Sequence, residues 1–162
     1  MLRQNLPVAT TLVLLCSACR PVPPPELTAA DKASIAEALE ERVSGYAEAA
    51  RRRDVDYMLG FWADVDEFVI AGDGELTVGY DAWADFIRQS IVEFPVVNSI
   101  TTRNPHVYVI GLDAASYTVE FEWSMTSAEG ETTSARGTWT YVFRHLDGEW
   151  RVVHSAGTHL YS

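Results

Sequence analysis

Residues 136–160 read RGTWTYVFRHLDGEWRVVHSAGTHL, and this stretch decides the fold. Aromatic and β-branched residues alternate with polar ones on both sides of Asp147-Gly148, the pattern of an antiparallel hairpin closed by a two-residue turn. A turn centred on that pair sets His145 opposite Trp150, Phe143 opposite Val152 and Tyr141 opposite His154. Side chains in a strand alternate faces, so one face holds Trp139, Tyr141, Phe143, His145, Trp150, Val152, His154 and Ala156. The other holds Thr138, Thr140, Arg144, Arg151, Val153, Ser155 and His159. The aromatic face is the one to bury. On this register His154 points inward, His159 points to the opposite side, and His145 sits at the turn end. The three do not converge on one ion, and His106, on another strand, does not repair this. No metal site and no cofactor are expected.

Working outward, "ASYTVEFEWSMT" (115–126) also alternates: Tyr117, Val119, Phe121, Trp123 and Met125 share one face, Thr118, Glu120, Glu122 and Ser124 the other. "HVYVI" (106–110) reads as a further strand. Before Pro95 the periodicity changes. Thr28 caps a helix whose apolar or small positions recur at Ile35, Leu39, Val43, Tyr46, Ala47 and Ala50, spacings of three and four. Asp54 caps a short second helix through Met58, Leu59, Phe61 and Trp62. Gly72-Asp73-Gly74 marks a hairpin, and a third helix runs from near Asp81 over Trp83, Phe86, Ile87, Ile91 and Phe94 until Pro95 stops it. Helices first and strands second predict an α+β domain, with three N-terminal helices and an antiparallel sheet.

Composition bounds the partners. The chain has 162 residues, 48% of them hydrophobic, and a net charge of −11. Nothing larger than Arg51-Arg52-Arg53 is available to neutralise phosphates, which argues against nucleic acid. Both cysteines, Cys16 and Cys19, lie in the first twenty residues. Arg3, then an apolar run from Leu6 to Leu15, form a signal peptide too short to span a bilayer. Ser17-Ala18-Cys19 resembles the lipobox of bacterial lipoproteins, with Cys16 where leucine is usual. The chain therefore divides into a signal peptide at 1–18, a lipidated Cys19 with a Pro-rich tether at 19–27, and one domain at 28–162. The expected location is the bacterial cell envelope, anchored to the membrane through Cys19.

From about Thr28 onward the chain resembles the SnoaL-like branch of the superfamily typified by nuclear transport factor two, a resemblance that implies a cone-shaped fold, three N-terminal helices packed on a curved antiparallel sheet. The resemblance is carried by "RRRDVDYMLGFWADV", by "VGYDAWADFI", and above all by Gly137, Trp139, Asp147, Gly148, Trp150, Val152, Val153 and His154. Many relatives have a second histidine where this chain has Ala156. The superfamily includes isomerases, cyclases, dehydratases and transport adaptors, so the resemblance implies a fold more than an activity. The segment "YAEAARRRDVDYMLGFWAD" is also similar to ketosteroid isomerase, with Tyr46 at the position of its oxyanion tyrosine. Counted without gaps, the base position falls on Ile70, which accepts no proton.

Three functions follow as expectations. The first is a membrane-tethered module that binds a small, largely apolar molecule, without catalysis, in a cone lined by Tyr46, Trp62, Trp83, Trp123, Trp139, Tyr141 and His154. The second is a metal-independent isomerase, cyclase or dehydratase with His154 as general acid/base, assisted by Tyr46 or Tyr141. The third is a protein-interaction scaffold, homodimeric through the outer sheet face that carries Thr118, Glu120, Thr138 and Thr140.

Overall fold

A computed structural model describes residues 26–162; the segment expected as a signal peptide, Cys19 and most of the expected tether lie outside the described residues. Thr28 opens the first helix, α1 (Ala29–Arg52), with a reciprocal cap. Its hydroxyl accepts from the Asp31 N–H at 3.1 Å, and the Asp31 carboxylate accepts from the Thr28 N–H at 2.9 Å. Two of the orphan donors of the first turn are thereby satisfied. Ile35, Leu39 and Val43 form its buried stripe, and Arg53, in a left-handed conformation at φ 59°, ends it. Asp54 accepts from the Tyr57 N–H at 3.1 Å and starts the short α2 (Val55–Gly60). A hairpin of β1 (Val69–Gly72) and β2 (Glu75–Val78) leads into α3 (Tyr80–Glu93).

Four long strands complete the chain: β3 (Val96–Gly111), β4 (Ala114–Thr126), β5 (Thr132–Leu146) and β6 (Glu149–Tyr161). One six-stranded sheet results, in the order β2-β1-β6-β5-β4-β3. It is antiparallel except that β1 runs parallel to β6. The fold class expected from the sequence is the one observed. The short strand expected at 106–110 is longer: β3 begins directly after Pro95 and absorbs its polar stretches with three register shifts along β4.

The core lies between α1, α3 and one half of the inner sheet face, where Leu39, Phe61, Phe68, Phe143 and Val152 are fully buried. Phe61 is its hub. Its ring centroid stands 4.5 Å from Tyr46, 5.1 Å from Trp62, and 5.5 Å from both Tyr141 and Phe143. Burial of one such side chain stabilises the fold by about 1.5–3 kcal/mol, and each edge-to-face pair adds about 0.5–1.5.

The hairpin turns at Asp147-Gly148, whose positive φ values of 52° and 86° suit this Asp-Gly turn. Near the turn the expected register holds, with His145 opposite Trp150 and Phe143 opposite Val152. It then changes. Val142 pairs with His154 and Tyr141 with Ser155, so Val153 is an extra residue, a β-bulge. The cause is tertiary. The Val152 N–H donates to the Phe61 carbonyl at 3.0 Å, and its carbonyl accepts from the Ala63 N–H at 2.8 Å. This segment after α2 pins Val152, and β6 must resume pairing one residue late.

One inserted residue reverses every face beyond it. The expected inward position of His154 is therefore corrected: His154 is exposed on the outer face, while Ser155 is fully buried. The expectation that His159 points outward fails for the same reason, since His159 lies on the inner face with Phe121, Trp123 and Trp139. Glu120 and Glu122 stay outside, where both pair with Arg103.

Candidate functional site

The residues singled out in the sequence fall into two groups. Tyr46, Trp62, Trp83 and Tyr141 come together in the core. Trp62 lies 5.8 Å from Tyr46, 5.2 Å from Trp83 and 6.0 Å from Tyr141, ring centre to ring centre. Burial pushes the Tyr46 hydroxyl up to about 12, against a smaller opposing effect of the Trp62 indole. Burial also raises Tyr141, helped by the neighbouring Tyr46 and Tyr117. These phenols stay neutral at ordinary pH. Among the described residues the indole N–H groups of Trp62 and Trp83 are buried without a partner, so the cluster is apolar packing with spare donors and no base.

Trp123 and Trp139 belong to the second group, further along the inner face, together with Phe121, Tyr161 and the imidazole of His159. Ring centres lie 5.0 Å (Phe121), 5.1 Å (Trp139), 5.6 Å (Tyr161) and 6.0 Å (Trp123) from His159. Glycines make the room. A Cβ at Gly157, which faces Trp139 across the strands, would come within 2.2 Å of the indole. One at Gly137, opposite His159, would come within 1.9 Å of the Thr158 carbonyl.

Asp73, at the tip of the β1–β2 hairpin, completes the site. One carboxylate oxygen accepts from the His159 backbone N–H at 2.7 Å, and the other lies 2.7 Å from His159 Nδ1. Burial alone would raise the Asp73 carboxyl. The two His159 hydrogen bonds and the imidazole charge outweigh it and hold the group below the usual carboxylate range. In the neutral ring, with Nδ1–H committed to the carboxylate, Nε2 presents its lone pair to whatever approaches. The His159 side chain is 20% exposed, enough for a small molecule to reach it. Burial, then the Asp73 charge, raises the neighbouring Tyr161 phenol.

The sequence alone marks Asp73 only as a turn residue, and it puts His159 on the wrong face. A signal existed in the glycines. The shifted register sets Gly157 against Trp139 and Gly137 against His159, a small residue opposite each large ring. His106 and His145 are exposed, and among the described residues no three His, Cys, Asp or Glu side chains are grouped to hold a metal ion.

Known structures with this architecture are numerous. A proposed scytalone dehydratase from Novosphingobium aromaticivorans superposes with a TM-score of 0.75 at 12% identity, over 83% of this chain and 91% of that one. A type 2 hexachlorocyclohexane dehydrochlorinase, LinA, gives 0.69 at 12% identity, over 83% and 92%. A nuclear transport factor 2-like superfamily protein from Salmonella enterica serovar Typhimurium gives 0.65 at 18% identity, over 84% and 92%. At these identities the likeness is one of fold. No curated protein matches the chain at the sequence level. Residues 39–161 match the SnoaL-like domain throughout, and the chain belongs to that family.

Proposed function

We propose that this chain catalyses proton transfer on a small, largely apolar molecule, as an isomerase or dehydratase, with His159 as general base. The reading rests on one observation, the 2.7 Å contact of Asp73 with His159 Nδ1 inside a ring of aromatic side chains. Asp73 fixes the tautomer and stabilises the imidazolium that forms when Nε2 takes a proton. Trp123, Trp139 and Phe121 exclude water and hold an apolar skeleton against the base. His159 thus takes the role that the sequence gave to His154. Tyr46, Trp62, Trp83 and Tyr141 support the sheet behind it.

Scytalone and hexachlorocyclohexane, the compounds named for two structural neighbours, are the first probes. His159→Gln should lower turnover by roughly 10²–10⁴-fold with the circular-dichroism spectrum unchanged. Equal activity in that variant would refute the assignment. Saturable binding by the wild type with no turnover of any neutral ring compound would return the domain to the passive receptor expected first from sequence.

In this proposal the domain works at the cell envelope, tethered through Cys19. Palmitate labelling that persists in Cys19→Ser would remove the tether. Self-association through the outer face, where the Thr118 and Thr140 hydroxyls stand 2.9 Å apart, is the accompanying proposal for quaternary structure. Sedimentation as a monomer at high concentration would exclude it.

A further inference from the structure

A groove of about 520 Å³ between α1 and the β3–β4 edge has no part in the site above. Glu37, Glu40, Glu41 and Ser44 form its helical wall, Thr102 and Pro105 the facing wall, and Tyr117 its floor. Three carboxylates at helical spacings of three and four repel one another, an arrangement that destabilises a helix in isolation. Two arginines of the same elements have partners elsewhere. Arg42 donates to the Trp150 carbonyl at 3.0 Å and to the Gly60 carbonyl, and Arg103 pairs with Glu120 and Glu122 on the other face of the sheet.

Tyr117 is the second, independent sign. It is only 3% exposed, its hydroxyl makes no hydrogen bond among the described residues, and it borders the groove. Burial, and then the Glu40 charge, raise its pKa, so the hydroxyl keeps its proton and offers an oxygen lone pair to a donor. The acids are spread, not convergent. Glu37 and Glu41 stand about 6 Å apart along the helix axis at 1.5 Å per residue, and no three such groups gather to hold a metal ion among the described residues.

We propose that this groove binds a linear organic polycation, with ammonium groups spaced along an alkyl chain. One ammonium donates to the Tyr117 hydroxyl, the others lie against Glu37, Glu40 and Glu41, and the methylenes rest on Pro105. Spaced charges match spaced carboxylates. A compact ion of equal charge does not.

Calorimetric titration of the full chain at low ionic strength separates these cases, with spermidine as the extended trication and hexaamminecobalt(III) as the compact one. Spermidine should bind roughly tenfold more tightly than the cobalt complex, and added salt should weaken it steeply. The exposed double substitution Glu40→Gln/Glu41→Gln should weaken spermidine by about tenfold, and Tyr117→Phe by about threefold. Equal affinities for the two trications, or affinity unchanged in the double variant, would reduce the groove to general counter-ion attraction and overturn the proposal. Neither readout depends on turnover at His159.

Discussion

Two aromatic clusters share one face of one sheet, and they differ in what lies over them. Around Phe61 the rings of Tyr46, Trp62, Tyr141 and Phe143 share one core cluster with Leu39 and Val43 of α1 and Ile87 of α3. Around His159 the rings of Phe121, Trp123, Trp139 and Tyr161 come from the sheet alone, and the acid on the imidazole is Asp73 from the hairpin turn. The first cluster is largely buried and holds no acid and no imidazole, with the Arg42 guanidinium 5.8 Å from the Phe61 ring centre. The second has an acid and a partly exposed imidazole, from nearly the same residue types. What separates a core from a candidate site here is the cover and the bulge, not the composition.

The largest expected effect belongs to the buried cluster. Phe61→Ala should cost about 3–5 kcal/mol in a denaturant titration, because the hub cannot be refilled. A loss below about 1 kcal/mol would mean that this interior is looser than its contacts indicate. Next, Gly157→Val should cost about 1–3 kcal/mol by driving a side chain into the Trp139 indole. It should also break the Asp73–His159 contact, visible as a changed imidazole signal by NMR.

A pH series sharpens the comparison further. Asp73 is held below its ordinary value in the folded state, so its stabilisation is present above the ordinary carboxylate pKa of about 3.9 and fades as pH falls through the depressed one. Thermal midpoints of wild type and Asp73→Asn should therefore diverge above about pH 4 and converge below it. A constant gap across that range would deny Asp73 its charge-dependent role. The smallest effect is expected at His154→Ala. That residue is exposed on the outer face, so stability should move by no more than about 0.5 kcal/mol, with turnover unchanged.

Much of the fold was legible because its signals are local. Thr28 with Asp31, Asp54 before Tyr57, the Gly72-Asp73-Gly74 turn and Asp147-Gly148 each act through hydrogen bonds or dihedrals set within a few residues. The length of β3 was not legible. Its sixteen residues carry little alternation, and its partner β4 supplies the pattern for both. The site was half legible. Trp123 and Trp139 were named, but their imidazole was taken from the wrong side of β6.

By itself the sequence determined the element order, the α+β class, the hairpin turn and an inner face rich in rings, since periodicity and turn chemistry are properties of neighbouring residues. Tertiary structure alone decided which histidine enters. Val152 is pinned by Phe61 and Ala63, ninety residues earlier, and the residue displaced by that contact turns His154 out and His159 in. It also brought Asp73 to His159 across 86 positions of chain. No period in β6 encodes either contact, because each depends on main-chain groups that another element supplies.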